Sequence, residues 1–179
     1  MESLVRYSHR KEPFYFSFAA RRIWILRDSS SPRAEYRREK EHIIAELCVD
    51  LIDRHGWRLA DIHIGELIPV MSQAGWSYPE ADILLTDGSG RACTLIKAVP
   101  RDIFAAELSE EVHELFLLAH ALHLEQSASP LSLVYCTRWH ENGSTEERIM
   151  TIDYSRFRTF DAWDEAGRPA TDSLPHRAN

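Results

Sequence analysis

The sequence predicts a single α/β domain in which helices flank a mixed central sheet, and three stretches carry that prediction. Residues 79–99 hold two runs rich in Ile, Leu, Val and Thr on either side of Asp87-Gly88-Ser89-Gly90. That pattern is a β-hairpin signature, because glycine accepts the positive φ that a tight turn demands. Residues 34–54 repeat Ile43, Leu47 and Leu51 every four positions, with Ile44, Cys48 and Ile52 beside them, so one helical stripe packs on a sheet. Residues 110–125 carry Val112, Leu115, Phe116, Leu118, Ala119 and Leu122, apolar nearly all round, which marks the main core helix.

Length and composition bound the rest. A chain of 179 residues with 44% hydrophobic content supplies one ordinary core and no compositionally foreign segment. Residues 1–33 read as an N-terminal extension, 34–160 as the core and 161–179 as a flexible tail. The formal charge of −7 argues against indiscriminate nucleic-acid binding by overall charge, while leaving room for a local basic groove. Cys48, Cys93 and Cys136 are widely spaced, without a Cys-x-x-Cys pair, which fits neither a disulfide framework nor a zinc ribbon and suits a reducing cytoplasm. The apolar stretch Phe14 to Leu26 is broken by Arg21 and Arg22 and is too short to span a bilayer, so no membrane association is expected.

In chain order, residues 1–12 are polar and aperiodic, a frayed start. Alternation of Phe14, Phe16, Phe18, Ile23 and Ile25 favours one or two short strands, with a basic helix as the rival. Asp28-Ser29-Ser30-Ser31-Pro32 is a loop, and Gly56 ends the helix that follows. In that helix Arg33, Arg37, Arg38 and Lys40 interleave with Glu35, Glu39 and Glu41, either a DNA-facing patch or a solvated face of intrahelical ion pairs. Residues 62–70 alternate as a strand with Ile62, Ile64, Ile68 and Val70 on one face. Glu66 falls on that same apolar face, where a carboxylate needs a partner such as Lys97 or a metal shared with Asp82. Residues 71–77 read as a loop.

After the hairpin, Pro100-Arg101-Asp102 breaks the strand, and Ser109 with Glu110 and Glu111 opens the core helix. His113, His120 and His123 lie on it, as hydrogen-bonded structural residues or, less readily, as metal ligands lacking a third partner. Residues 131–137 form a strand, 138–144 a polar turn and 147–153 a further strand. Trp139 either stacks on a base or closes a core edge. From Asp161 the chain is rich in Pro, Asp, Ala and Ser without periodicity, which predicts disorder or a partner-ordered extension.

Within the hairpin, Asp82 and Lys97 stand where a strand buries hydrocarbon, and an ionised group there is costly unless paired, hydrogen-bonded or bound to metal. An acid on one hairpin strand and a lysine on the next resembles the core of the PD-(D/E)xK superfamily, the restriction-endonuclease-like fold. Residues 36 to 157 resemble the amino-terminal nuclease domain of type I restriction enzyme R subunits, including a helix, a strand ending in a polar loop and one more strand after the lysine strand. The resemblance implies that Asp82 is a catalytic metal anchor and Lys97 the charge-stabilising lysine, converging on one side of the sheet. It also implies that Glu41, on the first helix, and Glu66, on the strand before the hairpin, point toward the metal site, with Asp82 and Glu66 as metal ligands. The chain departs from the pattern twice: the motif proline stands at Pro79 rather than beside Asp82, and the acid expected two residues before Lys97 is Leu95.

That departure has chemical weight. Residues i and i+2 of a strand share a face roughly 7 Å apart, so an acid and a lysine at this spacing address one scissile phosphate together. Two carboxylates hold Mg²⁺, and a leucine supplies no oxygen. Three functions follow as expectations. One is a degenerate nuclease domain that binds nucleic acid, DNA ahead of RNA, or a protein partner in a defence or DNA-processing complex, without efficient cleavage. Another is an active Mg²⁺-dependent endonuclease whose second acid has migrated to Glu41 or Glu66. The third is an acidic protein-interaction scaffold, alone or as a homo-oligomer.

Overall fold

The computed structural model describes residues 4–9, 12–17, 22–25, 32–72, 75–126 and 131–177, with side chains within 39–71, 75–124 and 131–177. The chain begins with a three-stranded antiparallel sheet of β1 (Leu4–His9), β2 (Glu12–Ser17) and β3 (Arg22–Ile25). Strand pairing at Leu4–His9 replaces the frayed start read from composition, and β2 and β3 bear out the strand reading of Phe14 to Arg27 over the helical one.

α1 (Pro32–Asp53) follows, then β4 (Ile62–Leu67), a small hairpin of β5 (Val70–Ser72) and β6 (Gly75–Ser77), and the central hairpin of β7 (Glu80–Thr86) and β8 (Ala92–Ala98). α2 (Leu108–Gln126), β9 (Ser132–Glu141), β10 (Ser144–Asp153) and α3 (Phe160–Glu165) complete it. Five strands form one mixed sheet in the order β10-β9-β8-β7-β4, antiparallel except for β8 and β9, which run parallel across the α2 crossover. Such a crossover is needed because parallel neighbours cannot be joined by a tight turn.

Strand alternation divides the core into two layers. Ile83, Leu85 and Ile96 face α1, where Ile43, Leu47, Cys48 and Leu51 pack on them. Leu84, Leu95 and Val99 face α2 and meet Val112, Leu115, Phe116, Leu118, Ala119 and Leu122. The central turn is fixed by Asp87, whose carboxylate accepts from the Ser89 and Arg91 amides at 2.8 and 3.0 Å, while Gly90 takes φ +80°. Among the described residues no helix is long and apolar enough to cross a membrane.

Four expectations are corrected. The strand read over 62–70 ends at Leu67 and Val70 begins β5, so across the stretch read as a loop Val70–Ser72 and Gly75–Ser77 pair as antiparallel strands. Glu66 is exposed, because Gly65 at φ +68° breaks the alternation that would have turned it onto the apolar face. Arg138 to Glu141 extend β9, and the turn is confined to Asn142-Gly143, both at positive φ. Residues 161–177, read as an aperiodic tail, are anchored at three points: Trp163 is fully buried, Leu174 is buried under α1, and Thr171 bridges Thr151 of β10.

Candidate functional site

The β7–β8 ladder runs from Thr86–Ala92 to Ile83–Ile96, and the next residue on each strand is charged, Asp82 on one and Lys97 on the other. Both are buried, at 2% and 6% exposure. Asp82 is satisfied on both oxygens: Lys40 Nζ lies 2.9 Å from Oδ1, and the Ala98 amide donates to Oδ2 at 2.8 Å. One carboxylate thereby ties α1 to β7 and β7 to the backbone of β8.

Lys97 draws its partners from the opposite layer. Its ammonium lies 3.3 Å from Glu111 Oε2 and donates to Glu114 Oε1, both on α2. Burial pulls its proton affinity down, but the Asp82 charge, the Glu114 hydrogen bond and the Glu111 and Glu114 charges outweigh that, leaving its pKa above the ordinary lysine value. Asp82 is held from the α1 side and Lys97 from the α2 side, which corrects the expectation that the two converge on one side of the sheet, although they remain electrostatically coupled at neighbouring strand ends. Glu107, ahead of α2, completes an acidic rim. Its pKa is raised by burial and by the Glu111 and Glu110 charges, against which Lys40 acts.

Of the remaining residues singled out from sequence, Leu95 is fully buried in the α2-side core. Glu66 pairs across from Ala81, one residue from Asp82 in sequence, but its side chain faces solvent. Glu41 is half-buried on α1, and the α1 residue that reaches Asp82 is its neighbour Lys40. His113 and His120 are exposed, the former edge-on to Phe160 at 5.4 Å, and His123 lies 6.2 Å from the Tyr154 ring. Among the described residues no group of three or more His, Cys, Asp or Glu side chains is placed to hold a metal ion. Mg²⁺ demands several oxygens in near-octahedral array. With both Asp82 oxygens engaged, a leucine at 95 and Glu66 turned outward, the donor set does not fit it.

Lys40, Glu111 and Glu114 are the site residues that sequence reasoning missed. Each carried a signal. Lys40 precedes Ile43 and Ile44 by three and four and Leu47 by seven, which puts it on the buried stripe of α1 rather than on the solvated face. Glu111 and Glu114 are three apart on the first turns of the helix that follows the lysine strand, so they share a face. The chain has only three lysines, Lys11, Lys40 and Lys97, and two of them meet here.

A second charged cluster lies farther along β9. Arg138 is buried between Asp50 of α1 and Glu147 of β10, at 2.6 Å from each. Trp139 lies under the Arg101 guanidinium at 4.4 Å, and His140 bonds Glu46 at 2.6 Å. Around them a groove of about 480 Å³ opens between α1 and the end of β9. The chain matches no protein-family model and no curated protein.

Proposed function

We propose that the chain is a degenerate restriction-endonuclease-like domain, a binding module for nucleic acid, DNA ahead of RNA, in which the former catalytic pair now holds the fold together. The order of elements supports the reading: helix, strand, then, after the short β5 and β6 strands, the hairpin bearing Asp82 and Lys97, a helix and two strands. The observation that carries it is the Lys40–Asp82 contact at 2.9 Å. An ammonium from within the protein neutralises the carboxylate that would anchor a metal. Lys97, clamped by Glu111 and Glu114, likewise has no unspent charge to offer a phosphate. At neutral pH it is an ammonium and so is no general base.

One observation favours a second reading, an active endonuclease with a migrated acid. Glu111 and Glu114 converge on Lys97 from α2, on the same side as Leu95, and are better placed to replace the missing acid than Glu41 or Glu66. The two readings separate in one experiment. Purified protein is mixed with supercoiled DNA, linear DNA and RNA in Mg²⁺ and then Mn²⁺, alongside Asp82→Ala and Lys97→Ala. Binding without cleavage supports the degenerate module. Cleavage lost in both variants establishes the nuclease, and absence of both binding and cleavage moves the molecule to a protein-binding scaffold.

A further inference from the structure

The C-terminal segment joins both faces of the sheet. Trp163 of α3 is buried in the α2-side core, and the chain then turns through Gly167 and Arg168, both at positive φ. It crosses the outer edge of β10, where the Thr151 and Thr171 amides donate to each other's carbonyls at 2.8 and 3.0 Å. Leu174 then enters the α1-side core at 3% exposure. Beyond it the Trp57 indole donates to the Pro175 carbonyl at 3.0 Å, and the Arg177 amide donates to the His55 carbonyl at 3.0 Å. Arg177 Nε lies 3.3 Å from Asp61.

One contact in this seat is not built to survive a change of charge. The His55 and His176 rings face each other with centroids 4.5 Å apart, and His55 Nδ1 is buried without a hydrogen-bond partner. We propose that residues 173–177 are an acid-released strap: protonation of His55, whose ring faces that of His176, unseats the segment from α1, while the Thr151–Thr171 bridge keeps it tethered to the sheet. This is independent of the nuclease-like reading.

The charges around the ring pair support that direction. Burial disfavours the protonated form of His55, and His176 and Arg54 act the same way. Asp50 from α1 and Glu147 from β10 oppose them, yet both carboxylates are already bound to Arg138 at 2.6 Å. Asp61 is occupied by Arg58 at 2.8 Å as well as by Arg177. A folded-state pKa below the ordinary histidine value means that the seated form binds fewer protons than the released one. Seating is therefore full above about pH 6.5 and weakens as pH falls through that value.

The test is amide hydrogen exchange by NMR at Arg177 and Thr171, corrected for intrinsic rates, at about pH 7.5 and about pH 5.5. The Arg177 protection factor should fall on acidification, by several-fold and by no more than about tenfold because pH ~5.5 lies about one unit below the ordinary histidine value, while Thr171 keeps its protection. His176→Gln, a change at an exposed side chain, removes the ring that faces His55 and should blunt the fall. Unchanged Arg177 protection in the wild type, an equal fall at Thr171, or the same fall in His176→Gln would each overturn the strap.

Discussion

Lys40 Nζ of α1 lies 2.9 Å from Asp82 Oδ1 of β7, and the two ends of that contact are unequally buried, 21% exposed for the lysine and 2% for the aspartate. Removing one partner of a buried pair strands the other, and the penalty depends on which is stranded. Lys40→Met leaves a buried carboxylate supported by the Ala98 amide and the Lys97 charge but without its direct ion pair, and should destabilise the fold by about 3 kcal/mol. Asp82→Asn leaves a lysine that can swing into water and an amide oxygen that can still accept from Ala98, so it should cost about half as much. The double variant should recover part of the Lys40→Met loss, because the stranded charge is gone. Urea denaturation of the three variants measures this, and equal losses in both single variants would mean that the pair is not the pin described here.

Lys97 sets a pH prediction with a definite sign. Its folded-state pKa lies above the ordinary lysine value. Its contribution to stability is therefore fully present below about pH 10.4 and is lost only as pH rises through the folded pKa. From neutrality to about pH 10 the group stays protonated, so amine acylation should reach Lys97 far more slowly in the native protein than in urea. Peptide mass mapping after brief labelling gives the ratio, and fast native labelling would show that the Glu111–Glu114 clamp is open in solution.

Restoring the motif acid should fail. Leu95 is fully enclosed by the α2-side core, and Lys97 already has two carboxylates. Leu95→Glu adds a further anion beside them and removes packed hydrocarbon, which should cost about 3 kcal/mol or more and give no cleavage of supercoiled DNA in Mg²⁺. Appearance of cleavage with native stability would instead favour the active-nuclease reading.

The core was legible in the sequence wherever periodicity carried the signal. The hairpin around Asp87 to Gly90, the α1 stripe and the α2 core face were each readable from spacing alone, because burial on one face imposes a period. Glu66 was misread because one glycine, Gly65 at φ +68°, resets the alternation, and nothing in a run of Ile, Gly, Glu and Leu announces which φ the glycine adopts. The C-terminal segment was misread for another reason: Leu174 is buried singly, in a stretch that is neither helix nor strand, which leaves no period to detect. At the site, Asp82 and Lys97 were visible as charges out of pattern, whereas Lys40 was hidden among arginines and glutamates. Its meaning depends on which α1 face meets the sheet.

The three cysteines report on the two core layers. Cys48 and Cys136 are buried in the α1 layer, and burial pushes the Cys48 thiol up to about 12 and raises that of Cys136 as well. Cys93 is only half-buried, at the register shift of the hairpin between Leu85 and Thr86. A thiol-reactive reagent at about pH 8 should label Cys93 first in the native protein and all three in urea. Early native labelling at Cys48 would place α1 off the sheet.

Two leucines separate the packed C-terminal segment from a merely adjacent one. Leu174 is 3% exposed against α1, and Leu124, near the end of α2, is 69% exposed. Truncating a buried leucine removes its transfer free energy and leaves a cavity, whereas truncating an exposed one changes little. Leu174→Ala should cost about 2 to 3 kcal/mol and Leu124→Ala less than about 0.5 kcal/mol. Because Leu174 sits between the Thr171 bridge and the His55 contact, its variant should also lower Arg177 amide protection at neutral pH, without acidification. A Leu174→Ala protein as stable as Leu124→Ala would mean that the segment rests on the core without contributing to it, and that the unfolding unit ends before Thr171.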